Sequence, residues 1–157
     1  MSTNFDDFLR EQLQDPEMKK EYDALQQKKS MALHRTGYFS EMPHAEKTDP
    51  SIKEYLHKLP KKNLENIIHY LLSGVLVIMC PGNTTDVVNP QNGNAGAPSV
   101  YTDGKWTWPG DLVYYVRNYH IGLEQDFLDD MEKNNWTVPF HEEDLTEADI
   151  SIDGIQI

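Results

Sequence analysis

The pattern of apolar and polar residues between positions 100 and 122 predicts a β-hairpin that leads into a helix. Asp103 and Gly104 separate two segments of strand-forming residues, and glycine supplies the positive φ that a two-residue type I′ turn requires. Trp106 and Trp108 are two positions apart, so their side chains share one face of the second strand. We therefore expect this face to pack against the core.

A helix is predicted to follow the hairpin directly. Pro109 suits the first helical position, where the missing N–H has no intrahelical partner, and Asp111 places negative charge at the positive end of the helix dipole. Gly122 is positioned to end the helix. The apolar residues at helical spacing, which predict the face toward the core, are Leu112, Tyr115, Val116 and Tyr119.

Other apolar patterns predict the rest of the core. Residues 64–72 have the spacing of an amphipathic helix, which Gly74 would close. Residues 75–80, VLVIMC, are six consecutive apolar residues, which favours a central strand buried on both faces. Residues 84–88 are expected to pair with that strand, and residues 123–131 predict a last helix.

Together these elements predict an α+β fold, with a small antiparallel sheet that contains a central strand at 75–80 and the hairpin at 100–108, covered by helices. We expect three parts along the chain. Residues 1–48 are predicted to form a helical arm followed by a partly ordered linker or wrapping arm, and residues 49–139 the core domain. Residues 140–157 are an acidic tail whose spaced isoleucines favour an edge strand or a partner-binding segment.

The N-terminal arm is predicted to contain two short helices. Asp15, Pro16 and Glu17 have the order of a helix cap, a first helical residue and an acidic first turn. The apolar positions of the two helices are Phe5, Phe8, Leu9, Leu13, Met18, Tyr22 and Leu25.

The charge of the chain is strongly asymmetric. Residues 1–84 carry 12 acidic and 11 basic side chains, and residues 85–157 carry 14 and 3, so the two nets are −1 and −11 of a total of −12. Such a field repels nucleic-acid phosphates and anionic lipids and attracts basic surfaces. We expect a basic protein partner, no direct nucleic-acid binding and no membrane partner. The alternative is that the acidity serves solubility alone.

The sequence also favours a cytoplasmic location. No apolar run approaches the roughly 18 to 20 residues that a membrane-spanning helix needs, and the N-terminus lacks the basic and apolar segments of a signal peptide. The single cysteine, Cys80, allows no internal disulfide, which suits a reducing compartment.

Catalytic and metal-binding patterns are missing from the sequence. The six histidines show no HExxH spacing, there is no GxSxG motif, and Cys80 lies in an apolar run typical of a core residue. The best acid–base set is Asp86, Asp103, Tyr114 and His120, of which the last three have structural explanations in a turn, a helix surface and a helix C-terminus. We expect no catalytic residue, no metal site and no cofactor.

Residues 89–99, NPQNGNAGAPS, are rich in glycine, proline and asparagine, which predicts a mobile exposed loop. The segment lacks the GxxxxGK[ST] pattern and precedes a strand, so a phosphate site is disfavoured. An alternative function is a small enzyme or ligand-binding domain that uses this loop and His120.

Two segments resemble known bacterial sequences. Residues 4–25, NFDDFLREQLQDPEMKKEYDAL, resemble the leader that precedes the helix-turn-helix domain in bacterial antitoxins of the host-inhibition type, although the residues that follow show no helix-turn-helix pattern. Residues 64–139 resemble a small bacterial domain of uncharacterised proteins with the pattern TDGxWxWPxDLxYYVxxYH. The first resemblance implies toxin–antitoxin biology, and the second implies a fold unit without an assigned activity.

These observations lead to one functional hypothesis. The chain is expected to be an acidic intracellular inhibitor, similar to immunity proteins and antitoxins, that neutralises a basic toxin, nuclease or defence effector. Inhibitors encoded by phages are included, and a homodimer is left open. The expected partner-binding residues are Glu124, Asp126, Asp129, Asp130, Glu132, Glu142, Glu143, Asp144, Glu147 and Asp149.

Overall fold

Strands and helices alternate irregularly along the chain, which gives an α+β fold. The computed structural model describes residues 10–12, 14–21, 30–146, 149–153 and 155–156. The strands are β1 Ser30–Arg35, β2 Val75–Ile78, β3 Thr84–Thr85, β4 Asn94–Gly96, β5 Val100–Thr102, β6 Trp106–Pro109, β7 Asp149–Ile152 and β8 Ile155–Gln156. The α-helices after residue 30 are α1 Leu64–Leu72, α2 Leu112–Tyr119, α3 Gln125–Lys133 and α4 Glu142–Thr146, and the 3₁₀ turns are Ile52–Glu54 and Pro90–Asn92.

The main sheet has six strands in the order β2-β5-β6-β1-β7-β8, and β3 and β4 form a separate two-stranded sheet. Strand β1 runs parallel to both β6 and β7, while the remaining neighbours are antiparallel. The sheet is therefore larger than the sequence suggested, and it is mixed where a purely antiparallel sheet was expected.

Strand β2 lies at the edge of the sheet, so the expectation of a central strand at 75–80 is wrong. Two of its side chains, Leu76 and Ile78, are 36% and 38% exposed, and Met79, which follows the strand, is 74% exposed. A continuous apolar run does not reveal how many neighbours a strand has. Residues 84–88 do not pair with it either, because Thr84 and Thr85 pair with β4.

Residues 30–48 belong to the folded body, where the sequence suggested a partly ordered linker or an arm that wraps around the core. His34 is paired with Trp106 in the sheet, and Phe39 and Met42 are buried in the main core. Local periodicity could not identify strand β1, because the strands that pair with it lie far away in the sequence. At the other end, β7 and β8 give the acidic tail the strand character that its isoleucines predicted.

The core lies between the sheet and the helices α1, α2 and α3. Trp108 is fully buried, and its ring centroid lies 5.5 Å from that of Phe127 and 6.2 Å from that of Tyr70. Gly74 makes this packing possible, since a Cβ there would lie 2.5 Å from Trp108 Cζ2. The predicted burial of the face that carries Trp106 and Trp108 is confirmed.

The turn and the helix start differ in detail from the expectation. Thr102 pairs with Thr107, and the Asp103 backbone N–H donates to the Trp106 carbonyl at 3.3 Å, so the turn is centred on Gly104 and Lys105, one position later than expected. Asp103 Oδ1 holds this turn by accepting hydrogen bonds from the backbone N–H groups of Lys105 and Trp106. Pro109 ends β6 instead of starting α2, because it still pairs with Val100.

The N-terminal arm is described only in part. Residues 16–21 are helical, and Asp15 caps them by accepting a hydrogen bond from the Glu17 backbone N–H at 3.0 Å, as the sequence predicted. The apolar positions Phe5, Phe8, Leu9, Leu13, Tyr22 and Leu25 lie outside the described residues. In the described ranges, no helix combines the length and apolarity needed to cross a bilayer.

Candidate functional site

The exposed side of α3 carries carboxylates on successive helical turns. Phe127 and Met131 are fully buried and fix the orientation of the helix against the core. Asp126, Asp129 and Asp130 have the i, i+3, i+4 spacing that brings side chains together on a helix surface. These three residues line a concave groove of about 590 Å³.

Four separate parts of the chain contribute to this surface, which we name the acidic groove. Its residues are His34, Arg35, Lys105, Trp106, Glu124, Asp126, Asp129, Asp130 and Asp153. Five carboxylates face two permanent cations, so the formal net charge is −3 with the histidine neutral. The groove therefore attracts cationic groups.

Both cations of the acidic groove already have carboxylate partners. Lys105 Nζ lies 2.7 Å from Asp130 Oδ2. Arg35 donates to both carboxylate oxygens of Asp49, at 3.0 and 3.1 Å. Four groove carboxylates form no salt bridge within the described part of the chain: Glu124, Asp126, Asp129 and Asp153.

Asp130 is held in place by its neighbours. The hydrogen bond from Lys105 and a second one from Trp106 Nε1, at 2.8 Å, lower the pKa of Asp130. In return, the carboxylate raises the pKa of Lys105. Asp130 thus fixes the hairpin turn against α3, and the binding capacity of the groove rests on the other carboxylates.

A smaller cavity of about 280 Å³ adjoins the acidic groove, and we name it the Arg35 pocket. It shares Arg35, Glu124 and Asp153 with the groove, so the two form a continuous surface. The residues that line it are Arg35, Thr36, Gly37, Tyr38, Phe39, Glu46, Thr48, Asp49, Pro50, Tyr55, Gly122, Leu123, Glu124 and Asp153.

The guanidinium of Arg35 is fixed at one side of this pocket. It lies over the Tyr38 ring, 4.1 Å from the centroid. Burial lowers the pKa of Arg35, but the bidentate contact with Asp49 outweighs it, and the net shift is upward. Thr36 is only 3% exposed, and its hydroxyl has no hydrogen-bond partner among the described residues.

The structure brings together only part of the predicted partner-binding set. Glu124, Asp126, Asp129 and Asp130 line the acidic groove, whereas Glu132 is exposed on α3 outside its lining. The other predicted residues are distributed elsewhere: Glu142, Glu143 and Asp144 lie on α4, which packs near β2, Asp149 begins β7, and Glu147 is outside the described residues.

Sequence reasoning missed Arg35, Asp49 and Asp153, which complete the two cavities. Asp153 reaches the groove because β7 pairs with β1, and its carboxylate accepts a hydrogen bond from the Arg35 backbone N–H at 3.4 Å. No local motif marks these residues, since the sheet alone brings positions 35 and 153 together.

Asp86, from the acid–base set, is the acceptor at the centre of a hydrogen-bond cluster. It is 1% exposed and accepts from the hydroxyls of Tyr119 at 2.6 Å and Tyr114 at 2.8 Å. Asn92 Nδ2 and the backbone N–H groups of Val88 and Asn89 also donate to it. Burial raises the pKa of the carboxyl, but these bonds outweigh burial and lower it.

Residues 89–99 are not the mobile exposed loop that the sequence predicted, because the hydrogen-bond cluster around Asp86 holds the start of this segment in place. This segment contains the Pro90–Asn92 turn and strand β4, and the cluster ties its first residues to α2. His120 lies apart from it, as the left-handed C-cap of α2 beside residues 61–66. Asp103 is also separate, and accepts a hydrogen bond from the buried Tyr70 hydroxyl at 2.6 Å.

A buried histidine–aspartate contact was not anticipated from the sequence. His44 Nε2 and Thr84 Oγ1 lie 3.1 and 2.8 Å from Asp111 Oδ2. His44 Nδ1 is buried without a partner among the described residues, so it does not face a substrate cavity. Cys80 follows β2 and is half-buried, where the sequence suggested a core position.

The described residues contain no group of three or more His, Cys, Asp or Glu side chains that could hold a metal ion. The two sequence resemblances stay predictions, as does the absence of a cofactor. Comparisons with protein-family models, with curated proteins and with solved structures give no match.

Proposed function

We propose that this chain is an acidic inhibitor that binds a basic protein partner, such as a toxin, nuclease or defence effector, through the acidic groove. The proposal includes immunity-like, antitoxin-like and phage-encoded inhibitors, and it places the chain in the cytoplasm. One observation carries it: Glu124, Asp126, Asp129 and Asp153 share one concave surface and form no salt bridge with any described residue.

The shape and charge of the groove support a protein partner. Trp106 and Asp130 form a fixed floor between the hairpin and α3, and a preformed surface binds without first having to become ordered. Complementary charge accelerates association and disfavours acidic competitors, while salt weakens it. A partner that presents lysines or arginines therefore fits this surface.

The alternative is an enzyme or ligand-binding domain around residues 89–99 and His120. Asp86, beside this segment, already accepts five hydrogen bonds, and His120 lies apart from it at the C-terminus of α2. A homodimer of the chain is a further prediction.

Affinity capture of the tagged chain from its native host, at low and at high salt, tests the proposal. The groove variant combines Glu124→Gln, Asp126→Asn and Asp129→Asn. The matched control neutralises three exposed carboxylates that line neither cavity and are outside the expected partner-binding set: Glu21→Gln, Glu54→Gln and Glu65→Gln.

We expect the wild type and the control to retain a basic protein that salt releases and the groove variant loses. The captured protein, once purified, is then assayed for its own activity, which the wild-type chain should inhibit in proportion to its binding. Equal capture by the groove variant and the control would contradict a role for the acidic groove. A captured partner whose activity is unchanged would contradict inhibition.

A further inference from the structure

We propose that Asn92 is a site of spontaneous deamidation, and that the hydrogen-bond cluster around Asp86 controls how fast it reacts. This site is independent of the acidic groove, because neither residue lines that surface. The closed cluster keeps the reaction slow, and an open cluster allows it. The product then prevents the cluster from closing fully, so a transient opening becomes a lasting change in the protein.

The sequence around Asn92 favours this reaction. Asn92 and Gly93 form the only Asn–Gly pair among the 157 residues. Deamidation begins when the backbone nitrogen of the next residue attacks the side-chain carbonyl carbon of asparagine. Glycine has no Cβ to hinder the attack, and its backbone adopts the widest range of conformations. Asn92 is also exposed, so water reaches the site.

The reaction needs no reagent other than water. A bond forms between the Gly93 nitrogen and Asn92 Cγ, the Cγ–Nδ2 bond breaks, and the nitrogen's proton leaves with the side-chain amide as ammonia. The resulting five-membered cyclic imide has two carbonyl carbons. Water adds to one of them and opens the ring, which leaves either an aspartate or an isoaspartate at position 92.

The fold engages both reacting groups with other partners. The Gly93 backbone N–H donates to the Pro90 carbonyl at 3.1 Å. The Asn92 amide donates through Nδ2 to Asp86 Oδ2 at 3.2 Å and to the Tyr119 hydroxyl at 2.9 Å. Ring closure therefore requires that these bonds open. Local opening of an exposed segment of this kind costs less free energy than global unfolding.

The product cannot restore the cluster. Asp86 is 1% exposed, and its carboxylate needs donors around it. Deamidation replaces the Asn92 amide, which lies 3.2 Å from Asp86 Oδ2, by a second carboxylate. Two like charges at such a distance repel each other. The isoaspartate product also lengthens the main chain by one methylene group, which disturbs the turn that precedes Gly93.

The experiment follows the deamidation of the full chain at mildly alkaline pH, in buffer and in urea. Tryptic digestion and tandem mass spectrometry locate the modified residue in the peptide of residues 63–105, whose other asparagines serve as internal references. Tyr119→Phe removes one partner of Asn92 and keeps the Asn–Gly pair. Tyr70→Phe is the matched control, because its hydroxyl binds Asp103 outside the cluster.

We expect Asn92 to react first among the asparagines of this peptide, at a rate at least about 10-fold lower in buffer than in urea. Tyr119→Phe should raise the rate in buffer about 3- to 10-fold, the effect of one hydrogen bond. Tyr70→Phe should lower the melting temperature without changing this rate. In urea all three chains should react equally fast.

A second pair of variants tests the effect of the product. Asn92→Asp and Asn92→Ala both remove the donor to Asp86, but only the first adds a charge. We expect Asn92→Asp to melt about 2–4 °C below Asn92→Ala at neutral pH. Equal melting temperatures would overturn the lasting change.

The rates decide the remaining parts of the proposal. Equal rates in buffer and in urea, or equal rates for Tyr119→Phe and the wild type in buffer, would overturn control by the Asp86 cluster. Intact Asn92 in urea after other asparagines have reacted would overturn the site itself.

Discussion

Replacing Asp86 by alanine is expected to destabilise the fold strongly, because one buried carboxylate serves five donors. Two of them are the hydroxyls of Tyr114 and Tyr119, and two are backbone N–H groups at the start of the 89–99 segment. A hydrogen bond to a charged group contributes about 1.5–3 kcal/mol. The bonds are not additive, since the half-exposed tyrosine hydroxyls can bind water in the variant.

We therefore expect Asp86→Ala to lower the free energy of unfolding by about 3–5 kcal/mol, since five neutral donors lose one charged acceptor and their contributions add only in part. Urea unfolding followed by tryptophan fluorescence measures it. The exposed Asp126→Ala is the control and should cost less than about 0.5 kcal/mol. In a double-mutant cycle, Tyr119→Phe should be nearly neutral once Asp86 is absent.

The pH dependence gives the refuting test. Because the pKa of Asp86 is lowered in the folded state, its contribution is present above the unfolded-state pKa of about 3.9 and is lost as the pH falls through the lower folded-state pKa. The stability gap between wild type and Asp86→Ala should thus shrink between pH 5 and the acid limit of folding. A gap that stays constant, or one below about 1 kcal/mol at neutral pH, would refute the reasoning.

Three further predictions concern the core and the groove. Gly74→Ala should cost about 1–3 kcal/mol in urea unfolding, because its Cβ meets Trp108 at 2.5 Å; an unchanged midpoint would contradict this packing. Tyr70→Phe should cost about 1–3 kcal/mol by removing the hydroxyl from the buried Asp103 carboxylate, and a neutral effect would argue against that bond. Lys105→Gln should tighten the binding of a short lysine-rich peptide at low salt, since it frees the Asp130 carboxylate in the groove; weaker binding would contradict the electrostatic model.

The helices and the tryptophan pair were accessible from the sequence because local periodicity determines them. Helix α1 spans Leu64–Leu72, as its apolar spacing predicts. Leu112 and Tyr115 of α2 are fully buried on the predicted face. Amphipathic spacing identifies such faces without any knowledge of their partners.

The sheet order and most of the candidate site could not be predicted in this way. Pairing between His34 and Trp106, or between Ser30 and Asp149, joins segments that share no local signal. Four of the nine residues of the acidic groove were anticipated, Glu124, Asp126, Asp129 and Asp130, because they follow one another along α3 and its N-cap. The other five come together through strand pairing between distant parts of the chain.

Strand β1 also determines the order in which the molecule can be assembled. It is hydrogen-bonded on one side to β6 and on the other to β7, which lies more than one hundred residues further along the chain. Closing such a long loop is entropically costly and makes folding slow. During synthesis, β1 can pair with β6 first, but one of its edges stays open until β7 has been made. The acidic groove, which needs Asp153, is therefore completed last.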